Sequence, residues 1–330
     1  MRKVNIPVFV PHLGCPHGCV FCNQRQITGQ ADAMTPDKAR QIIQQAIKTI
    51  DRENTYVEIA FFGGSFTAIP LPEQEAFLHA VEPYRRGGMV DGIRLSTRPD
   101  CIREENLSLL RSYGVTSIEL GVQSSDGDVL AKSQRGHTFA DVEAAARMIK
   151  HFGFELGLQM MLGLPGDTWE KSLKTAADIA ALSPDTARIY PTVVLRGSAL
   201  CELYENGLYV PLTLEEAVAW CAQIYARFTQ SGITVLRMGL MTSEDLRGGL
   251  VAGPYHPAFG ELVYAHLFLD KMRALLAGYT GGEAALRVNP KDRSKAAGHR
   301  RHNLETIKNE LGVKITLIGD ESVEPGTIIC

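Results

Sequence analysis

The chain has 330 residues, 45% of them hydrophobic, with 34 Lys and Arg against 37 Asp and Glu. That is the composition of an ordinary core former, longer than the usual single domain and without an apolar stretch of membrane-spanning length. MRKVNIPVFVPHLGC lacks the apolar core and cleavage site of a signal peptide, so a cytoplasmic protein with no membrane partner is expected, while the net charge of −3 excludes no partner, because a basic face can hide inside a near-neutral total.

Short β-rich runs alternate with helical patterns, the signal for parallel βα units. The strands expected are Val4 to Val10, Tyr56 to Phe62, Gly92 to Thr97, Ser117 to Gly121, Glu155 to Met161 and Thr186 to Thr192. Between them the spacing predicts helices over Pro36 to Thr49, Pro72 to Tyr84, Arg103 to Tyr113, Phe139 to Phe152 and Trp169 to Leu182, several opened by Thr, Asp or Pro. This reads as α/β, a partial (β/α)6 TIM-like barrel over 1–235, followed by a connecting helical segment over 236–280 and a small α/β unit over 281–330. In such a barrel chemistry collects at the C-terminal ends of the strands. The special residues fall there: the Cys run after the first strand, then GGSFT, STRPD, GVQS and MLGLPG at the ends of the next four.

Cys15, Cys19 and Cys22 stand in GCPHGCVFCNQ. Thiolates bind iron-sulfur clusters, and a four-iron cluster caged entirely by protein takes four of them, so a run of three leaves one iron open to a small chelating ligand. The rival reading is a structural zinc with a fourth ligand from His12 or His17. Cys101, Cys201, Cys221 and Cys330 are scattered without a pairing pattern, as where thiols stay reduced. Gly63 and Gly64, after the apolar run VEIAFF, allow backbone to approach a ligand or simply form a βα loop.

The spacing C-x-x-x-C-x-x-C is similar to the signature of the radical S-adenosylmethionine (SAM) enzymes. FFGGSFTAIP, LSTRPDCI, IELGVQSSD, RGHTFADV, MMLGLPGD and IYPTVVLRGSALCELYENGLYVPLTLEEAV together resemble the radical SAM domain of the Elongator catalytic subunit family, covering most of residues 1–220. The cysteine spacing instead resembles the oxygen-independent coproporphyrinogen oxidases. The chain is too short for the Elongator acetyltransferase domain, and is expected to be a stand-alone bacterial relative. The resemblance implies a 4Fe-4S cluster on the three cysteines, SAM as cofactor, Phe21 near the adenine, and Gly63, Gly64 and Ser65 as the element that takes the SAM amino group, with Ser65 in place of the family's Glu. It implies SAM contacts for Gln123, Arg135 and Gln159, against which stand a strand-end Gln serving loop backbone and an Arg paired with a surface acid. Ser96 also replaces a Glu of that group. The activity implied is reductive cleavage of SAM to a 5′-deoxyadenosyl radical, fed by flavodoxin or ferredoxin, to modify a nucleoside in tRNA. The alternatives are a small substrate such as a tetrapyrrole, or a non-enzymatic RNA-binding protein with a structural metal cluster.

Tyr255 and His256, between Gly253 and Pro257, form a turn that either presents a phenol and an imidazole to substrate or is purely structural. Residues 287–314 carry eight Lys or Arg against three acids. SKAAGHRRHNLETIKNELGVKI reads as helix, basic loop, helix, strand and resembles a KH RNA-binding domain, whose G-x-x-G loop clamps a nucleotide backbone. Gly298, Asn303, Leu304 and Ile307 match, while Arg301 replaces the second glycine and is expected to lack its backbone freedom. Lys295, Arg300 and Arg301 are the candidate RNA contacts; a basic cap on the barrel is the other reading.

Overall fold

The computed structural model describes residues 2–10, 15, 18–23, 34–241 and 243–330. His12 and His17 lie outside the described residues. The strands β1 (Arg2–Val10), β2 (Thr55–Gly63), β3 (Gly92–Thr97), β4 (Ser117–Gln123), β5 (Glu155–Leu162), β6 (Thr186–Pro191) and β8 (Thr234–Met238) form one sheet in that order, every neighbouring pair parallel. Between β6 and β8, β7 (Val194–Leu195) forms a small antiparallel ribbon with β9 (Leu250–Ala252). The main sheet curls into a half-barrel, the partial TIM-like α/β fold expected, with its helices on the convex side.

Side chains on a strand alternate between faces, and here the alternation sorts by chemistry. Ile59 and Phe61 of β2, Ile118 and Leu120 of β4, and Leu156, Leu158 and Met160 of β5 are buried in the main core with helix residues such as Ile43, Leu78, Leu107, Ile149 and Ile179. The opposite parity supplies Glu58, Arg94, Ser96, Glu119, Gln159 and Arg188, so the concave lumen is polar and lined by ionic pairs. Arg94 bridges Glu58 at 3.2 Å and Glu155 at 3.0 Å. Several helices begin on side-chain caps that satisfy their first amides. Thr138 with Asp141 opens Phe139–His151, Thr213 with Glu216 opens Leu214–Gln230, and each pair forms a reciprocal capping box.

Six strands are expected from the alternation; the sheet has a seventh, β8. Its sequence, TVLRM, is short, and its residues are half-buried or exposed because no strand follows it on that side, so it lacks the fully apolar run of an internal strand. Among the described residues no helix is long and apolar enough to cross a membrane.

The tail folds in the order anticipated. β10 (Glu283–Val288) and β11 (Lys314–Gly319) are parallel, the crossover between them carries the helices Arg293–Ala297 and His302–Leu311, and β12 (Ile328–Ile329) pairs antiparallel with β10. Leu286, Val288, Ala296, Ile307, Val313 and Ile315 form a second core, joined by Phe268, Leu269 and Met272 of the helix Phe259–Leu275. The same helix buries Phe259 and Val263 in the main core, so one helix belongs to both cores.

Candidate functional site

The cysteine loop is held from two sides by main-chain bonds. The Val20 amide donates to Ser133 O at 3.2 Å, and the Leu200 amide donates to Val20 O at 2.8 Å. Val20 is buried among Val194, Leu200 and Tyr209, with Phe21 packed beside them. Cys15, Cys19 and Cys22 are all half-exposed. Cys15 Sγ lies 3.8 Å from the hydroxyl of Ser65, itself buried directly after β2, and the Cys22 amide donates to Cys19 O at 3.0 Å.

Arg135 joins this loop to the strand ends. Its Nη1 donates to Cys19 Sγ at 3.3 Å and its Nη2 to Gly121 O at 2.8 Å, and among the described residues it pairs with no surface acid. Only 8% of Arg135 is exposed. A guanidinium so placed stabilises negative charge on a sulfur. Arg98, from STRPD, fixes it in turn: Arg98 forms a fork with Asp100 at 2.9 Å and donates to Arg135 O at 2.6 Å. Gly121 is required by this arrangement, since a Cβ there would lie 2.6 Å from Arg135 Nη2 and 2.8 Å from Gln123 Nε2.

Gln123 ends β4 at a bulge with φ +67°, a left-handed backbone seldom taken by a residue with a Cβ. Its amide oxygen accepts from Gln159 Nε2 at 3.3 Å, so these two glutamines meet across β4 and β5. Gly63 also has a positive φ, +99°, at the end of β2. Below them Glu119 accepts from Arg188 Nε at 2.6 Å, Ser96 donates to the other Glu119 oxygen at 3.4 Å, and Arg188 Nη1 donates to Tyr190 Oη at 3.1 Å. The Arg188 guanidinium stacks over Phe62 at 5.1 Å. Burial works against the Arg188 charge, but Glu119 and Tyr190 outweigh it and raise its pKa.

His137, two residues past Arg135, is buried and shares a bond with Val122 O at 3.2 Å, which requires Nε2 to carry the proton. Nδ1 is buried without a hydrogen-bond partner among the described residues. Burial, then the neighbouring Arg135 and Arg98 charges, lower its pKa to about 4. An unfolded His titrates near 6.5, so the unfolded chain binds the proton first as pH falls. This stability is present above about pH 6.5 and is lost progressively toward pH 4, a loss on the order of 3 kcal/mol. Urea unfolding at pH 7 and pH 5 should show a wild-type loss that His137→Gln largely removes; equal losses in both proteins would contradict this account.

Tyr255 and His256 stand beside the β7–β9 ribbon. Tyr255 packs against Val193, Leu195 and Leu246, and His256 Nδ1 accepts from the Ala258 amide at 3.1 Å. The His256 ring lies 6.2 Å from that of His299, so the turn meets the basic loop of the tail. In that loop Gly298 takes φ +75°, where a Cβ would strike Asn303 Oδ1 at 2.8 Å. Asn303 is buried and donates to Ala265 O and Ala296 O, tying the loop to two helices. Arg300 and Arg301 take φ +50° and +64°, so Arg301 does adopt the left-handed backbone that the sequence alone reserved for glycine. Both are exposed, with no carboxylate partner among the described residues. Lys295 differs, being half-buried, paired to Asp292 at 3.0 Å and set over the Tyr264 ring. Arg287 and Lys314 are likewise paired, with Asp320 and Glu283. The unpaired positive charge of the tail is therefore concentrated on fewer cations than its composition suggests.

Cys19 and Arg135 are 116 residues apart, and no local pattern announces their contact. Arg98, Gly121, Glu119 and Arg188 were not anticipated as site residues; the placement of STRPD and GVQS at strand ends was the only signal for the first two. Among the described residues no three His, Cys, Asp or Glu side chains converge on a single-ion site. The donor set itself, three thiols on one anchored loop with a guanidinium on one sulfur and a hydroxyl facing another, suits an anionic iron-sulfur cluster.

The sequence matches the model of the Radical SAM superfamily over residues 9–179 and that of the Radical_SAM C-terminal domain over residues 184–268. The chain is 32% identical to an uncharacterized protein of Methanocaldococcus jannaschii, over 64% of this chain and 67% of that protein. It is 26% identical to the tRNA uridine(34) acetyltransferase of the same organism, over 77% of this chain and 53% of the relative. Human Elongator complex protein 3 is 30% identical over 55% of this chain and 37% of its own length. The chain thus spans about half or less of these two named relatives. Methanocaldococcus infernus Elp3 lacking its N-terminus shares the fold, with a TM-score of 0.62 at 23% identity over 82% of this chain and 64% of that one. With more than half its length matched, and a cysteine loop set at the C-terminal rim of a half-barrel, the chain belongs to the radical SAM superfamily.

Proposed function

We propose that this radical SAM enzyme holds a 4Fe-4S cluster on Cys15, Cys19 and Cys22, binds SAM at the strand ends and modifies a nucleoside in tRNA. The observation that carries the first part is Arg135, which spans from Gly121 O to Cys19 Sγ and so couples the cysteine loop to the end of β4. When bound, cluster and SAM supply a carbon-centred radical able to abstract hydrogen, with an outside donor such as flavodoxin or ferredoxin providing the electron. The chain's own residues bind and orient. Gly63 and Gly64 offer backbone to the SAM amino group, Ser65 flanks Cys15, Gln123 and Gln159 present amides from adjacent strands, and Phe21 provides an aromatic face next to the third cysteine.

The RNA part rests on the named relatives, which include tRNA uridine(34) acetyltransferases, and on the KH-like loop with its exposed Arg300 and Arg301. Tyr255 and His256 are candidate substrate contacts because the turn carrying them abuts that loop.

Anaerobically reconstituted, reduced protein should cleave SAM to 5′-deoxyadenosine. Arg135→Ala should weaken SAM binding about tenfold or more while iron content stays, the cost of one lost charge-assisted contact in a buried site. Gly121→Ala should do the same indirectly, because its methyl displaces the ends of Arg135 and Gln123, flexible groups that yield without unfolding the sheet. Equilibrium SAM binding unchanged in both variants would show the assignment of these residues to be wrong.

A further inference from the structure

We propose that the lumen holds a binding site for a phosphate of the nucleotide being modified, anchored by Arg237 on β8 with Tyr190 beside it. Arg188 and Arg237 pair across β6 and β8 just past a register shift, and the next pair, Ile189 and Met238, packs on the main core, so both arginines face the lumen. Like charges directly opposite in a sheet repel, and an arrangement that keeps them requires compensating anions. Arg188 has its own: Glu119 at 2.6 Å, with Tyr190 Oη completing its fork at 3.1 Å. Arg237 has none. Its Nε donates to Gly239 O at 3.2 Å, which fixes the direction of the guanidinium, and its terminal nitrogens have no partner among the described residues.

Position adds a second argument. β8 is the last strand of the sheet, so the half-barrel is open between β8 and β1, and Arg237 stands half-buried at that opening. The half-buried lumen neighbours Phe62, Gln159 and Tyr190 offer aromatic faces and an amide, suited to a base and a sugar, while Arg237 offers a preorganised two-pronged donor suited to an oxyanion. A guanidinium held by one carbonyl in a partly desolvated cleft gains most from a ligand that brings its own charge.

The inference rests on the reading that the lumen faces the molecule attacked, and its test is separable from that reading. Uridine 5′-monophosphate and uridine are titrated calorimetrically, under anaerobic conditions and with SAM present, into the reconstituted full chain and into Arg237→Gln and Arg237→Lys. The expected result is that the wild type prefers the monophosphate about tenfold, that Arg237→Gln loses the preference and Arg237→Lys keeps part of it, and that inorganic phosphate competes only where the preference exists. Iron content and thermal unfolding at wild-type values certify the folded state of each variant. Equal affinity for the two probes, binding of neither to the wild type, or a preference that survives in Arg237→Gln would overturn the proposal. Cleavage of SAM by the wild type is read in the same samples; its failure counts against the radical reading and not against the anion site.

Discussion

Replacing any one of Cys15, Cys19 or Cys22 by Ala is expected to abolish the cluster absorbance of anaerobically reconstituted protein, which in the wild type should correspond to about four irons and four sulfides per chain. The loss should be close to complete because three protein thiolates already leave one iron without a protein ligand, and a second such gap leaves the cluster held at two corners. The folded frame should survive, since the loop's anchors are the main-chain bonds of Val20 to Ser133 and Leu200, and none of the three thiols belongs to the main core. Cys101→Ala, Cys201→Ala and Cys221→Ala should retain the cluster, these three side chains being buried in packing positions. Iron and acid-labile sulfide assays decide it. Stoichiometric zinc in native protein that takes up no iron would turn the site into the structural metal centre named as its rival.

The first six strands were legible because their core-facing residues are apolar and their bounds are marked by turn residues; Gly92–Thr97 was read to the residue. β8 was illegible for the opposite reason, an edge strand with no fully buried side chain. The helix Phe259–Leu275 was also obscure, because it serves two cores and its apolar residues encircle it rather than forming one stripe. At the site, the cysteine run and the glutamines stood out by spacing and by position at strand ends. The groups that orient them did not. Arg98 holding Arg135, Gly121 clearing space for it, and Glu119 taking Arg188 are long-range contacts that the chain's curvature creates. Arg301 is instructive in another way. Its side chain type argued against a left-handed backbone, yet the preceding Gly298 and buried Asn303 fix the loop so tightly that Arg300 and Arg301 both adopt one.

That strain gives the RNA reading its sharpest test. A non-glycine residue in the left-handed region costs about 1 kcal/mol or more relative to glycine, and the tail carries two in succession, both exposed and without an acidic partner among the described residues. If they served only as a basic cap, glycine would be the better residue at both positions. The double variant Arg300→Gly/Arg301→Gly is therefore expected to unfold at a temperature higher by about 2 °C or more, since relief of about 1 kcal/mol shifts a protein of this size by that amount. The same variant should lose affinity for tRNA on the order of a hundredfold at low salt. Its dependence of log affinity on log salt should become shallower by about two, one phosphate contact for each arginine removed. Arg300→Lys/Arg301→Lys should keep most of the salt slope without gaining the stability, because charge is retained along with strain. Thermal unfolding and filter binding at two salt concentrations measure both quantities on one set of proteins. A double glycine variant that is more stable and still binds tRNA like the wild type would leave the loop as a cap on the second core and move the substrate toward a small molecule taken up by the barrel alone.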